Sequence, residues 1–266
     1  MNIIGIILAE GYREFMYFKR YSLERLSSTV MLIFIFLGFV YSSADLSNGT
    51  VHYDTNVIAH KAIGFLVWFF ALDAVGHLSS AIREDMHIGI LEQIALSPYP
   101  LIYNMFGRSI SRFFINLSIA IVMFVLFSIF FNLKISFKLS VFPVFILTYA
   151  GLYGLGLIFA GLTLVFKRLG PVTTIVRFFL LIFTGAIIPL SVFPDFMQKT
   201  ALFIPMTSGL TIMKAMIFEN MQFTSLVSER AFFYLILNTT FYLSVGIFIF
   251  SFFERQARKK GALGTY

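Results

Sequence analysis

Cysteine is absent from this 266-residue chain, tryptophan occurs once, and charged residues reach only 12%. The first absence excludes disulfides, zinc–thiolate sites and thiol catalysis, while leaving the compartment open. The shortage of charge is more telling, because soluble domains carry about 25% charged residues. Catalytic signatures are lacking too. There is no Gly-x-x-x-x-Gly-Lys-Ser/Thr loop to cradle a phosphate and no His-Glu-x-x-His. His52, His60, His77 and His87 do not group into a metal-ligand motif, and Thr207-Ser208-Gly209 lacks the glycine frame of a serine nucleophile. No catalytic residue, metal or cofactor is therefore expected in the chain itself, and a membrane-embedded enzyme finds no constellation to support it. Nor is a cleavable signal expected: residues 1–8 are apolar, but Glu10, Arg13 and Glu14 follow with no small-residue cleavage site.

What the chain does have is apolar length. Hydrophobic residues make up 59%, phenylalanine alone supplies 35 residues, and the mean hydropathy is +0.88. Stretches of roughly 20 apolar residues mark membrane spans. They predict an all-α membrane protein with six transmembrane helices, near 27–42, 57–82, 110–131, 139–166, from 172 onward, and 231–253. The fifth is broken by Pro189 and Pro194. In a soluble protein the net charge of +7 would suggest nucleic acid, but here it reads through topology. Fourteen of the 20 Lys and Arg fall in pieces on one side of the six-span arrangement, Arg13, Arg83, Arg108, Arg168 and Arg258 among them. That side is expected to be the cytosol, with both termini on it and no nucleic-acid partner.

Several segments between and within the spans carry expectations. Residues 1–26 mix Phe15 and Phe18 with Lys19 and Arg20, which fits a helix lying in the membrane interface or a simple positive-inside anchor. The apolar but proline-broken stretch 186–215, with Pro189, Pro194 and Pro205, suggests short helices that dip back into the outer leaflet. Asp73 and His77 lie one turn apart inside the second span. They read either as a bonded pair near a wet cytosolic opening, Asp73 reaching His77 or a neighbouring helix, or as a gate, a substrate contact or a proton relay. Trp68, Asp73, His77, Tyr153, Phe179 and Phe183 are candidates for lining a path. Ala150-x-x-x-Gly154 and Gly156-x-x-x-Ala160 are close-packing spacings that serve either a second copy or the chain's own packing. The basic tail 254–266 suits anionic lipid headgroups.

The most informative segment is Arg83-Glu84-Asp85-Met86-His87-Ile88-Gly89-Ile90-Leu91-Glu92-Gln93-Ile94-Ala95-Leu96-Ser97-Pro98. Helical spacing places Ile88, Leu91, Ile94 and Ala95 on one face and Glu84, Asp85, Glu92 and Gln93 largely off it. A loop between spans needs such a helix only if it touches something in the cytosol.

This segment resembles the coupling segment of type-2 ATP-binding-cassette (ABC) exporter permeases, where acidic-x-x-x-Gly-x-Leu-Glu-Gln-x-x-x-Ser-Pro recurs. Phe193-Pro194-Asp195 and Ile204-Pro205-Met206-Thr207 resemble the family's proline-rich re-entrant signature, so the likeness covers almost the whole chain. It implies a single permease domain with an N-terminal interface helix (1–26), a cytosolic coupling segment (83–106) and a re-entrant hairpin (186–215). It implies two cytosolic ABC ATPase subunits that bind ATP and Mg, and a second copy of this chain or a paralogous permease, in contact through the first and fifth spans. The setting it implies is a prokaryotic cytoplasmic membrane and its lipids. Glu84, Ile88, Leu91, Glu92, Gln93 and Pro98 then carry the ATPase contact, and Leu91→Asp is expected to uncouple transport while leaving the chain inserted. The cargo expected is a hydrophobic or amphiphilic compound, such as a drug, lipid or lipid-linked glycan. The competing class is an ATP-independent secondary transporter or channel using Asp73 and His77.

Overall fold

The computed structural model describes residues 3–42, 54–135, 138–219, 221–222, 225 and 230–259. The basic tail beyond Lys259 lies outside them. The described residues form ten α-helices and a 3₁₀ turn at Leu190–Val192, with no strand. They are α1 Ile3–Arg20, α2 Ser22–Tyr41, α3 Thr55–His87, α4 Ile90–Ala95, α5 Ile102–Phe131, α6 Val141–Phe166, α7 Gly170–Phe183, α8 Asp195–Ala201, α9 Pro205–Phe218 and α10 Arg230–Lys259. The expected all-α membrane architecture holds. Five helices, α2, α3, α5, α6 and α10, are long and apolar enough to span a bilayer. The fold begins where local chemistry dictates: Asp54 caps α3 by accepting from the Asn56 amide at 2.9 Å, and Pro205 opens α9, where no amide donor is needed.

The fifth span differs from its sequence reading. α7 has only 14 residues, about 21 Å, against the ~30 Å hydrocarbon core. Its partners show how far the segment reaches. Gly170 lies beside Arg83 of α3, the Arg177 carbonyl accepts from Trp68 Nε1 at 2.7 Å, and Ala186 rests on Gly64. The chain therefore climbs antiparallel along α3 from residue 83 to residue 64, about 28 Å. Only the first part of that climb is helical. The irregular remainder is protected inside the protein. A Cβ on Gly64 would sit 1.9 Å from the Ala186 oxygen, and Lys214 Nζ donates to the Gly185 carbonyl at 2.7 Å.

Helices α8 and α9 make a sharp pair, bent by 94°. Their turn lies part-way down α6 and α10, because Asn238 Nδ2 donates to Leu202 O at 2.6 Å and Pro205 packs on Gly151. α9 then climbs back past Thr148 until Phe218 stacks on His60 at 3.8 Å. The dip-and-return shape runs to Phe218, three residues beyond its expected end.

The close-packing glycines of α6 all face this chain's own helices. Gly154 meets Tyr242 and Gly246 of α10, Gly161 meets Phe250, and Gly156 meets the Ala74 carbonyl. Their intersubunit reading is overturned, since each site is filled from within. Two apolar clusters result. One is aromatic, around Phe36, Phe65, Trp68 and Phe127; the other is aliphatic, around Leu78, Ile82, Leu91, Met105, Leu157 and Phe250.

Candidate coupling site

Helix α3 extends five residues past its predicted end and stops at His87. Gly89 then takes the left-handed conformation (φ 71°) that an L side chain resists, and α4 leaves in a new direction. The predicted single amphipathic stretch is thus two helices meeting at a hinge. This changes which residues face out. Leu91 has no exposure at all and sits among Ile82, Met86, Leu101 and Met105, whereas Ile88 is exposed. Leu91 is an anchor, which corrects its assignment as a contact residue. The outward surface is Glu84, Ile88, Glu92, Gln93, Pro98 and, unexpectedly, Leu96 at 86% exposure.

A second fastening comes from the end of α10. Glu254 accepts from the Leu101 amide and from Arg258, both at 2.9 Å, while Arg258 also donates to the carbonyls of Ala95 and Tyr99. The segment after α4 is thereby tied to the last span.

Beneath α4 lies a charged network. Helix α1 turns Ile6, Glu10 and Glu14 inward, one turn apart. Helix α5 answers with Arg108 and Arg112 at the same spacing. Arg108 Nε meets Glu10 at 2.8 Å, and its Nη2 meets Asp85 at 2.6 Å. Arg13 reaches the other Asp85 oxygen at 2.5 Å, and Asn104 donates to Glu10 at 2.8 Å. Arg108 and Asp85 are each 1% exposed. Gly107 permits this closeness, since a Cβ there would come within 2.9 Å of Ile7 Cα. Removing one member of such a buried pair strands its partner and typically costs about 3–5 kcal/mol. Burial works against the Arg13 cation, yet Asp85 and Glu10 hold its pKa above the ordinary arginine value.

Farther along α3, Arg112 Nε bonds Asp73 at 2.8 Å and its Nη1 lies 3.7 Å from Glu14. His77 Nε2 lies 3.4 Å from Glu14. Burial pushes the Glu14 carboxyl up, but His77 and the Arg108 and Arg25 charges more than offset this and hold it below the usual range. Asp73 thus bonds a neighbouring helix, one arm of its structural reading. The network was hidden in the sequence because Arg108 and Arg112 counted only toward the charge of the cytosolic side, with no sign that α1 packs against them. The available signal was the matched four-residue spacing of Glu10–Glu14 and Arg108–Arg112.

The proposed path residues do not converge within the protomer. Trp68 and Tyr153 are buried in separate clusters, and Asp73 and His77 line a cavity of about 600 Å³ between α1, α2, α3, α5 and α7. Phe179 and Phe183 stack at 4.5 Å on the outer side of α7. On α1, Phe15, Lys19 and Arg20 are exposed and Phe18 is half-buried. Pro189 and Pro194 are exposed while Pro205 is buried. No cluster of three or more potential metal ligands occurs among the described residues.

The model of the ABC-2 type transporter family matches residues 6–218, four fifths of the chain. The chain belongs to the ABC-2 type transporter family. The match runs from α1 to the end of α9 and so takes in the charged network, α4 and the bent helix pair. No curated protein matches the chain. Membership makes this ABC-2 chain a multi-pass transmembrane component of an ABC transporter, not itself catalytic, and implies an ABC ATPase partner.

Proposed function

We propose that this ABC-2 chain is the membrane subunit of an ATP-driven exporter in a prokaryotic cytoplasmic membrane. Two copies pair with two cytosolic ATPase subunits, which hold the ATP and Mg. Both termini lie in the cytosol, and the α8–α9 pair re-enters the outer leaflet. The observation that carries the reading is the seating of α4. Its outer face offers Ile88, Glu92, Gln93 and Leu96, while Leu91 and Arg258 fix its inner side. A push on that face moves α3 and α10 together, and through Asp85 it moves α1 and α5.

Apolar rows on α2 (Val30, Met31, Phe34) and α7 (Ile175, Phe178, Phe179) remain exposed and suit the contact between two copies. The cargo is a hydrophobic or amphiphilic compound, in keeping with the apolar walls between those helices. The ATP-independent alternative is weakened, because Asp73 is bonded to Arg112 and His77 faces Glu14. Purification of the tagged chain in mild detergent, with mass spectrometry of what accompanies it, tests the reading. A stoichiometric subunit with a nucleotide-binding loop supports it. A solitary chain that transports in vesicles without ATP overturns it.

A further inference from the structure

The cavity between α1, α2, α3, α5 and α7 has two chemically distinct ends. Leu32, Phe69, Leu72 and Ile119 form an apolar end, and Glu24 and Glu84 stand at the other. Along α3 the lining runs from residue 69 to residue 85, about 24 Å. Four residues below Phe69 the lining becomes charged, five arginines with five carboxylates in all, but not every arginine has an ion pair. Arg112 takes both Asp73 and Glu14. Neither Arg25 nor Arg177 has a side-chain ion pair among the described residues, though both lie within electrostatic reach of Asp73.

Arg177 is held in place without being satisfied. Its guanidinium fills the notch at Gly76, where a Cβ would fall 1.0 Å from Nη2. Its Nε is sealed from solvent with no acceptor, and its backbone carbonyl is pinned by Trp68. A partly buried arginine with a sealed, unbonded Nε keeps donor capacity to spare, and an anion of the right reach would take it up. Arginine's planar donors suit phosphate oxygens in particular.

We propose that this cavity binds an anionic phospholipid, with its phosphate between Arg25 and Arg177 and its acyl chains along Leu32, Phe69 and Ile119. The site requires only the folded chain in a membrane, so it stands or falls separately from ATP-driven transport. The amphiphile is preferred to free phosphate because the same cavity that holds the arginines continues into the apolar end.

The test is native mass spectrometry of the purified chain, equilibrated with equal amounts of dioleoyl phosphatidylglycerol and dioleoyl phosphatidylcholine. Wild type should retain one phosphatidylglycerol in preference to phosphatidylcholine by about tenfold, because both carry the phosphodiester but phosphatidylcholine adds a choline cation that the two arginines repel. Arg177→Gln and, separately, Arg25→Gln should bring that preference close to one, and Arg177→Lys should keep part of it. Arg255→Gln, outside the cavity, should leave it intact. The emission of Trp68, the sole tryptophan, checks that each variant is folded around the site. Arg25 lies on the sparsely packed α2, so its variant remains informative if Arg177→Gln misfolds. Equal retention of the two lipids overturns the proposal, as does a preference that survives both glutamine substitutions. Displacement of the lipid by millimolar inorganic phosphate would also overturn it, because the headgroup alone would then account for binding.

Discussion

Asp85 and Asp73 sit on the same helix, about 18 Å apart, each facing arginines from other helices. Around Asp85, Glu10, Arg13 and Arg108 form a set in which every charge has an ion pair, with Asp85 and Arg108 themselves buried. Around Asp73, Arg25 and Arg177 line the same cavity with no ion pair of their own among the described residues. The same residue types therefore serve two ends. A fully paired set fastens helices together; arginines left without an ion pair beside a cavity ask for a ligand.

The sharpest way to break this comparison is to remove one arginine from each set. Arg108→Ala should destabilise the chain by about 3–5 kcal/mol, because it removes the buried arginine that Glu10 and Asp85 share and leaves both to Arg13. Equilibrium unfolding in mixed micelles would measure it. Leu91→Ala should cost about 2–4 kcal/mol for loss of a fully buried side chain, weakening the seat of α4. Arg177→Gln should cost under about 1 kcal/mol, since no ion pair is lost. If Arg177→Gln proved as damaging as Arg108→Ala, the two sets would not differ as argued.

Two smaller effects sharpen the picture. Leu96→Asp should change stability by no more than about 0.5 kcal/mol, as expected at an exposed position. It should nevertheless suppress transport-linked ATP hydrolysis in the assembled transporter. Loss of coupling in Leu91→Asp would carry less meaning, because that change also unseats α4. The smallest effect concerns pH. Glu14 has a folded pKa below its unfolded value of about 4.3. Its pairing therefore contributes stability above that pH, and the contribution fades as pH falls through the folded value. Thermal unfolding midpoints should drop more steeply below pH 4.3 for wild type than for Glu14→Gln, which has no such proton to gain.

The spans, the bend at the prolines and the segment around residues 83–98 were legible because apolar length and proline chemistry are local signals. The hinge at Gly89 was not, because helical periodicity alone runs through a glycine. That is why Leu91 and Ile88, three residues apart, were placed on one face when one is buried and the other exposed. The shortness of α7 was hidden for another reason. Its climb along α3 continues as irregular backbone that Gly64 and Lys214, distant in sequence, help to accommodate. The buried carboxylates of α1 found their meaning only once α5 was known to begin at Ile102, eight residues earlier than its apolar run suggested.

In the proposed assembly the outer face of α4 receives the ATPase. Because the chain has no cysteine, single cysteines can be placed without background. Ile88→Cys, Glu92→Cys and Leu96→Cys, each treated with a short bifunctional crosslinker in the co-purified assembly, should join this chain to the nucleotide-binding subunit. Phe248→Cys, exposed on the apolar part of α10, should not. If the assembly purifies intact and none of the three α4 positions crosslinks, α4 is not the coupling surface.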